Sequence, residues 1–392
     1  MASPRPSEPD RQAGFASARA YLGTVAARGV AAYLDNGRGL ELVLATLGER
    51  MVPILVSDGR PGKPAMASPT AQHLAYPLHE IGRATGNPTR LGLELAARPV
   101  AAALRGAGFD RVALVNHWLF PSAQPLPADA AALAELLATA ERRWSGHAVV
   151  LPGIVPALSG DLARVLVGLG GRAVPSRVVH LQRPGRPLRG KAMRSIRHNR
   201  NADFAVHERH AARMTTDPTV LAGRADRLCA LYRNLYLERH PARLNPQFTP
   251  EFFRLLVVSG AFEVRGWSGD DGDLVAFNVR LVRDGVIWWT IGGYDTRLPR
   301  SLGLYRLIAT DDIAAAEERG LVLNQGGGNA DFKRRRGAEP TVELEIVFDR
   351  HLPRHRRLLW QALEGVRRRR LAGQGHSADV LAALDGAARA RR

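Results

Sequence analysis

The sequence predicts an α/β (α+β) chain of mixed sheets flanked by helices, and two observations lead to this class. Short apolar runs typical of buried strands alternate with helical patterns through residues 13–182. Residues 183–372 then place three strand runs, joined by hairpin-type turns, before a helix, a strand, a short helix and a last strand. We therefore predict two tandem domains, with a disordered lead-in at residues 1–12 and a tail at residues 373–392.

The elements of the first half follow from local signals. A helical pattern occupies residues 15–22, and a hairpin is predicted from two strand-like runs on either side of Gly48. Asp129 is a plausible N-cap for a helix that reaches Trp144. The other predicted elements are a helix at 93–104, strands at 112–115, 148–151 and 176–181, and a helix at 162–169.

The second half begins after the Pro-, Gly- and Arg-rich stretch 183–190, which we interpret as a domain boundary. A basic helix follows, and then a single long helix at 219–239. The remaining elements are a helix at 250–258, strands at 261–267, 274–282 and 286–292, a helix at 304–318, a strand at 321–323, a helix at 329–336, a strand at 342–348 and a helix at 353–371.

Net charge indicates the partner. The 55 Lys and Arg residues exceed the 37 Asp and Glu residues by 18, and the pI is near 11.2, which favours a polyanionic partner such as nucleic acid or a phosphate-rich cofactor. The single cysteine, Cys229, excludes an intramolecular disulfide. The N-terminus has no apolar signal segment, and the longest apolar run, residues 147–160, is too short for a bilayer. We predict a cytoplasmic protein with no membrane contact.

A basic stripe opens the second half. Lys191, Arg194, Arg197 and Arg200 recur every three residues on the predicted helix with no acidic residue among them. Such a stripe can follow a phosphate backbone by charge alone, and we predict a nucleic-acid-binding surface. A solvated helix face is the alternative for these four residues.

Familiar nucleotide and metal motifs are incomplete. The glycines and lysine at 185–191 have the spacing of a phosphate-binding loop, but Ala192 stands where that motif needs a hydroxyl for Mg²⁺. His207 and His210 have two residues between them, whereas a zinc-binding helix needs three. We predict no metal, and we interpret Cys229 as a core residue because it lies in an apolar helical pattern.

The densest chemistry lies between residues 245 and 343. Tyr294 and Asp295 follow a strand, Gly303 and Tyr305 open a helix whose first amides can meet an anion, and a glycine-rich bend at 324–328 leads into a cationic helix. The residues that we predict to form a site in this region are Asn245, Tyr294, Asp295, Gly303, Tyr305, Asn324, Asp331 and Lys333. The alternative is that the glycines and asparagines serve backbone geometry alone.

These residues also carry a resemblance. The chain resembles FemAB-like members of the GNAT acyltransferase superfamily and is similar, more narrowly, to the aminoacyl-tRNA-dependent transferases of the valanimycin type. The matching segments of the second half are residues 231–236, 245–249, 293–299, 303–306, 323–324, 332–338 and 349–353. Looser matches in the first half are residues 67–69, Tyr76 and 115–119. The resemblance implies tandem GNAT-like domains.

Three functions remain open at this point. The first is aminoacyl transfer from a charged tRNA to a small amine or hydroxylamine, with no cofactor beyond the tRNA donor. For this reaction we assign Lys333 to the terminal phosphates or the oxyanion and Asp295 or Asp331 to holding or deprotonating the acceptor amine. Asn245, Tyr294, Tyr305 and Asn324 would orient the amine. The second is an acyl-CoA-dependent N-acyltransferase, against which Tyr305 argues because the pyrophosphate loop needs a small residue there. The third is a non-catalytic RNA-binding protein.

Overall fold

The computed structural model describes residues 8–85, 87–120, 126–185 and 191–372. Its helices and strands follow in chain order: α1 (Glu8–Arg28), β1 (Leu40–Leu47), β2 (Arg50–Asp58), α2 (Tyr76–Thr85), α3 (Asn87–Gly106), β3 (Arg111–Val115), α4 (Ala130–Arg143), β4 (Ala148–Ile154), α5 (Pro156–Gly168), β5 (Arg172–Gln182), α6 (Lys191–His210), β6 (Met214–Thr215), α7 (Pro218–Gly223), α8 (Ala225–Tyr236), α9 (Pro250–Val258), β7 (Glu263–Ser268), β8 (Leu274–Arg283), β9 (Val286–Tyr294), α10 (Leu304–Arg319), β10 (Val322–Asn324), α11 (Ala330–Arg334), β11 (Glu339–Phe348) and α12 (Arg354–Ala372).

Most of the predicted elements are present with somewhat different ends, and two predictions were wrong. The Asp129 carboxylate caps α4 by accepting from the amides of Ala131 and Ala132, as its N-cap position predicted. The single helix predicted at 219–239 is instead two helices, α7 and α8, because the backbone leaves the helical region at Arg224. Helix α1 begins at Glu8, inside the stretch predicted to be disordered. The incomplete phosphate-binding motif at residues 185–191 lies mostly on residues 186–190, which are outside the described residues.

The chain divides into two compact units. The first unit holds residues 22–177, 241–247 and the part of the chain after 341; the second holds residues 178–240 and 248–341 together with the start of α1. The sheet of the first unit has the order β1-β2-β3-β4-β11-β5, with residues 172–177 of β5 at its end. Its pairings are antiparallel except between β3 and β4, which run parallel. Helix α4 packs against this sheet.

The second unit has its own mixed sheet, in the order β5-β10-β9-β8-β7-β6, starting from residues 178–182 of β5. Strands β9 and β10 are parallel and the other pairs are antiparallel. Helix α10 packs on one face of this sheet, together with α6, and α8 packs on β8 and β9. The class predicted from the sequence, mixed sheets flanked by helices in two α/β halves, is confirmed.

Two apolar clusters hold α10 to the sheet of the second unit. One joins Leu304, Leu307 and Ile308 of α10 to β7, β8 and α6, and the other joins Ile313 of α10 to Leu323 of β10. Because both ends of the helix are fixed in this way, its first turn is held beside the end of β9.

Helix α10 also buries two acidic residues, which the sequence gives no reason to expect. Asp311 and Asp312 are 1% and 3% exposed, and they face Asn278 and Arg280 of β8. Asn278 Nδ2 donates to Asp312 at 2.8 Å, and Arg280 Nη1 donates to Asp311 at 3.1 Å. Arg265 adds a second guanidinium to Asp311 at 2.8 Å. Each carboxylate therefore has a partner in the interior, which is the condition for burying charge at acceptable cost.

Gly293 sets how closely β9 approaches α8. A Cβ placed on it would lie 2.5 Å from the Phe277 ring and 2.8 Å from the backbone of Leu231. We therefore expect Gly293→Ala to lower the free energy of unfolding by about 1–3 kcal/mol, since the clash involves backbone that cannot move aside. Urea denaturation would measure the loss. Gly223→Ala is the control, because a Cβ added at Gly223 would meet no neighbouring atom within 4 Å. Equal stability of the two variants would contradict the prediction.

Candidate functional site

Two parallel strands of the second unit point their carboxyl ends towards the same edge of its sheet, and β9 runs on beyond the end of β10. Strand β9 ends at Tyr294 and β10 at Asn324, and the register pairs Asn324 with Trp288. The carboxyl ends of adjacent parallel strands form a common crevice in open α/β sheets. Most of the predicted site residues follow these two ends, so this edge is the candidate site.

Asp295, directly after β9, is fixed by two arginines. Arg297 grips the carboxylate through Nε at 2.9 Å and Nη2 at 2.7 Å, and Arg227 Nη2 donates to it at 3.1 Å. The Arg297 side chain, more than burial or any other neighbour, holds the pKa of Asp295 well below its usual range. The geometry makes Asp295 a permanent anion that orients the loop before α10. Its assignment as the group that takes a proton stays a prediction.

Lys333 of α11 is buried, with 3% exposure. Its Nζ donates to the carbonyl oxygens of Gln325, Gly326 and Gly327 at 2.7, 3.1 and 2.6 Å. An ammonium group has three protons to donate, and three carbonyls lie in reach. The Trp289 ring lies 5.8 Å from the same nitrogen. In this arrangement Lys333 shapes the glycine-rich bend, and the role in binding phosphate or an oxyanion stays a prediction.

Three aromatic side chains form a half-buried cluster at the start of α10. The Tyr294 and Tyr305 ring centroids are 6.3 Å apart, and those of Tyr305 and Phe332 are 4.7 Å apart. The Arg336 guanidinium lies 3.4 Å from the centre of the Phe332 ring. Burial raises the pKa of the Tyr305 phenol, and its interaction with Asn329 counters part of that shift. We refer to Tyr294, Tyr305 and Phe332 as the aromatic cluster.

Two of the arginines around the aromatic cluster bind a buried carboxylate, and four others are exposed. Buried Asp203 of α6 binds Arg306 of α10 and Arg336, so one carboxylate ties α6 to the two segments that carry Tyr305 and Phe332. Around this anchor the exposed arginines are Arg297, Arg300, Arg334 and Arg335. The start of α10 thus combines ring faces with unburied positive charge.

A second cluster at this edge was not predicted from the sequence. His180 and Gln182 of β5 and Gln325 after β10 are 2%, 4% and 7% exposed. Both ring nitrogens of His180, Oε1 of Gln182 and Nε2 of Gln325 make no hydrogen bond of normal geometry to any atom of the described chain. Unmet buried polar atoms each cost about 1–3 kcal/mol, and such atoms mark places where a ligand or water belongs.

The register places these three side chains together. Gln182 opposes Leu323 and Leu181 opposes Asn324, so His180 opposes Gln325, whose amide donates to the His180 carbonyl at 2.9 Å. Residues two apart on a strand share a face, and here it is the face on which Leu323 packs against α10. We refer to His180, Gln182 and Gln325 as the unpaired polar cluster.

His180 is uncharged at neutral pH. Burial, followed by the nearby charge of Lys333, lowers its pKa to about 4, and the Gly326 carbonyl counters only a part of this shift. No signal in the sequence marked His180, because a histidine in a strand usually fills a core position. The alternation of His180 and Gln182 with the apolar Val179 and Leu181 at the end of β5 is a weak pattern by comparison.

The other predicted site residues lie apart from these clusters or serve the backbone. Asn245 belongs to the first unit, where its Nδ2 donates to the Pro241 carbonyl. Asp331 has a side chain that is 76% exposed and pairs with Arg334. Gly303 takes a left-handed conformation, φ 68°, as the N-cap of α10. Asn324 lies at the edge and accepts from the Gly326 amide at 2.9 Å through Oδ1, while its Nδ2 has no partner within the described chain.

The predicted basic stripe is only partly available on α6. Arg194 and Arg197 are exposed, and Lys191 begins the helix, although its side chain lies outside the described residues. Arg200 pairs with Glu317 of α10, and its side chain is 13% exposed. Arg200 therefore fits neither a solvated face nor a free phosphate-binding position, whereas Arg194 and Arg197 are exposed and their role in binding nucleic acid stays a prediction.

A cavity of about 330 Å³ lies elsewhere in the second unit, against β7. Its lining includes Leu221, Phe262 and the guanidinium-bearing Arg265 and Arg319, and it includes none of the predicted site residues. Both arginines already pair with carboxylates, Asp311 and Glu263. The cavity therefore gives no reason to move the candidate site away from the edge of β9 and β10.

The fold and this edge define an acyltransferase of the GNAT type. Residues 190–334 match the family model described as an acetyltransferase (GNAT) domain. The match runs from the start of α6 to the end of α11 and contains the aromatic cluster, the glycine-rich bend and Gln325. The chain accordingly contains a GNAT-type acetyltransferase domain and is a transferase. No curated protein sequence is significantly similar to the chain.

Several solved structures share part of the fold at low identity. The chain is similar to FemX, with 10% identity, 93% of this chain and 100% of that chain covered, and a TM-score of 0.47. It is also similar to the C-terminal domain of a putative lysylphosphatidylglycerol synthetase from Agrobacterium fabrum, with 14% identity, coverage of 59% and 78%, and a TM-score of 0.42. A third similar structure is that of L-PGS from Bacillus licheniformis, with 13% identity, coverage of 65% and 82%, and a TM-score of 0.42. Within the described ranges no helix is both long and apolar enough to cross a bilayer.

Proposed function

We propose that this transferase moves an aminoacyl group from a charged tRNA to a small amine or hydroxylamine. The observation that carries the proposal is the aromatic cluster at the start of α10, surrounded by exposed arginines. Aromatic rings stack on unpaired bases while cationic side chains follow the backbone, which is how proteins hold a single-stranded nucleic-acid end. The unpaired 3′ end of a tRNA that carries the amino acid has this chemistry.

Charge supports the same donor. The chain has a formal charge of +18, and Arg194 and Arg197 of α6 are exposed. A tRNA acceptor stem would be held mainly through phosphates and helix shape, not through sequence. Because the aminoacyl ester is already activated, the protein's task is to align the nucleophile with the carbonyl and to stabilise developing negative charge.

Acyl-CoA is the second candidate donor, and one observation favours it. Helix α10 begins at Gly303 with no side chain capping its first amides, and such a helix start is a ready anion site for a pyrophosphate. Tyr305 opposes this reading, because its phenol stands where the pyrophosphate loop of acyl-CoA transferases needs a small residue.

A donor screen distinguishes aminoacyl-tRNA from acyl-CoA as the donor. Purified protein is incubated with labelled aminoacyl-tRNAs and, separately, with labelled acetyl-CoA, and donor consumption is followed. We expect consumption of aminoacyl-tRNA only. The binding of aminoacyl-tRNA should weaken steeply as salt is added. In a plot of the logarithm of the binding constant against the logarithm of salt concentration, each duplex phosphate contacted contributes about −0.9 to the slope. Turnover of acetyl-CoA without turnover of aminoacyl-tRNA would overturn the proposal.

Tyr305 gives a sharper contrast. Tyr305→Ala should weaken aminoacyl-tRNA binding by about 10-fold, because one stacked base contributes about 1–3 kcal/mol. Tyr305→Phe, which keeps the ring, is the matched control and should bind as the wild type does. Filter binding at fixed salt measures both. A gain of acetyl-CoA turnover in Tyr305→Ala, with unchanged tRNA binding, would favour the acyl-CoA reading instead.

A further inference from the structure

The unpaired polar cluster offers complementary hydrogen-bonding groups on one face of the β5–β10 edge. Gln182 presents an acceptor through Oε1, and Gln325 presents a donor through Nε2. A neutral imidazole has one donor and one acceptor nitrogen, so His180 adds one of each. A ligand that satisfies the cluster must donate and accept hydrogen bonds within a small volume.

We propose that the unpaired polar cluster binds the acyl acceptor, a small primary amine or hydroxylamine, and that His180 accepts the proton which the attacking nitrogen loses. The nitrogen of such an acceptor donates to Gln182 Oε1 and to the free lone pair of His180. The developing oxyanion or the hydroxyl of a hydroxylamine accepts from Gln325 Nε2. This assignment rests on the proposed acyl transfer and names the acceptor side of the same site.

The chemical step balances with these groups alone. The acceptor nitrogen attacks the carbonyl carbon of the aminoacyl ester, and a C–N bond forms. His180 takes one proton from that nitrogen. The ester C–O bond then breaks, and the ribose oxygen leaves with the proton that His180 returns. The products are the aminoacyl amide, or hydroxamate, and the free tRNA end.

The surroundings of His180 suit a proton acceptor that starts neutral. Burial, and then the Lys333 ammonium, lower the pKa of the ring, so the ring is neutral at neutral pH. The same surroundings make the protonated ring a stronger acid, which favours return of the proton to the leaving ribose oxygen. Lys333 itself is held by three backbone carbonyls, so its charge stays in place during the step. A general base in position contributes about 10²–10⁴-fold to a rate.

Hydroxylamine is the probe, because the aminoacyl hydroxamate that it forms is measured directly. Rates are taken with a donor that the screen shows to be consumed, after subtraction of the uncatalysed reaction. We expect His180→Phe to lower kcat for hydroxylamine by about 10²–10⁴-fold, with donor affinity within about 2-fold of the wild type. His355→Phe, at an exposed position of α12, is the matched control.

Gln182→Leu separates binding from proton transfer. It removes an acceptor without touching the imidazole, so we expect KM for hydroxylamine to rise by about 10-fold while kcat stays near the wild-type value. If His180→Phe does not fold, Gln182→Leu and His180→Asn are used to test the assignment. Unchanged kcat and KM in all three variants would overturn the assignment.

A binding measurement without any donor distinguishes failure of this assignment from failure of the proposed function. Histidine-labelled protein is titrated with hydroxylamine, and the ring signals of His180, identified by their loss in His180→Asn, are followed by NMR. Movement of those signals with no donor turnover would retain the amine site and reject the tRNA donor. Static signals together with normal donor turnover would reject the amine site and retain the proposed function.

Discussion

Replacing Arg280 with methionine should lower the free energy of unfolding by about 3–5 kcal/mol, the range for removing one partner of a buried ion pair. Arg280 is 1% exposed, and its guanidinium binds Glu263 at 2.8 Å and Asp311 at 3.1 Å. Methionine fills a similar volume but leaves the Asp311 and Asp312 carboxylates facing an apolar side chain. Urea denaturation followed by circular dichroism measures the loss.

Three matched variants test the reason for this effect. Arg319→Met removes the other guanidinium on Glu263, but its side chain is 34% exposed, so the loss should stay below about 1 kcal/mol. Asp312→Asn should also cost little. Burial, and then the neighbouring Asp311 charge against the opposing pull of Arg280, raises the pKa of Asp312 to about 7, so an uncharged side chain resembles its protonated form.

Asp311→Asn should cost more than Asp312→Asn. Arg265, Arg280 and His207 lower the pKa of Asp311 against the effect of burial, so this carboxylate is the charged member of the pair. Equal losses in the two asparagine variants would show that the charges do not partition in this way.

The strand and helix order of the second unit was predictable because each connection has local chemistry. Asp284 and Gly285 form a hairpin turn between β8 and β9, both with positive φ, and such residues mark this turn in any sequence. Gly303 and Gly320 bracket α10 in left-handed conformations, as glycines at helix ends commonly do. These turn and cap signals depend only on residues that are adjacent in the chain, so a single sequence is enough to predict them.

The break between α7 and α8 and the buried acids of α10 were not predictable in the same way. Acidic residues on a helix normally face water, and Asp311 and Asp312 face inward only because Asn278 and Arg280 lie opposite them on β8. That pairing depends on which strand lies under the helix. Periodicity carries no information on it.

The candidate site shows the same limit. The sequence singled out loops, and Tyr294, Tyr305 and Asn324 do lie at one edge of the sheet. His180 and Gln182 were missed because their significance comes from an antiparallel register with β10, formed by residues far apart in the chain. Asn245 belongs to the first unit, and its part in the site stays a prediction.

Replacing Lys333 with methionine should abolish most turnover and lower the free energy of unfolding by about 3 kcal/mol. The carbonyls of Gln325 and Gly327 would lose the ammonium as donor, while that of Gly326 keeps the His180 amide at 3.2 Å. Unmet buried groups of this kind cost about 1–3 kcal/mol each. The glycine bend that positions Gln325 would shift, and a displacement of about 1 Å near the reacting atoms costs about 10²-fold in rate. Turnover of the donor identified in the screen and urea denaturation measure the two effects.

The kinetic pattern decides between the two roles of Lys333. If it orders the bend, kcat and stability fall together in Lys333→Met while KM for the tRNA donor and the salt dependence of binding stay unchanged. If it contacts phosphate, the role assigned to it from the sequence, KM rises and the salt slope falls by about 0.7–0.9, the contribution of one phosphate contact. Lys333→Arg should not restore activity in the first case, because a planar guanidinium cannot serve three carbonyls that converge on one point. Arg334→Met, at an exposed neighbour whose side chain pairs with exposed Asp331, is the control for stability and should leave the free energy of unfolding unchanged.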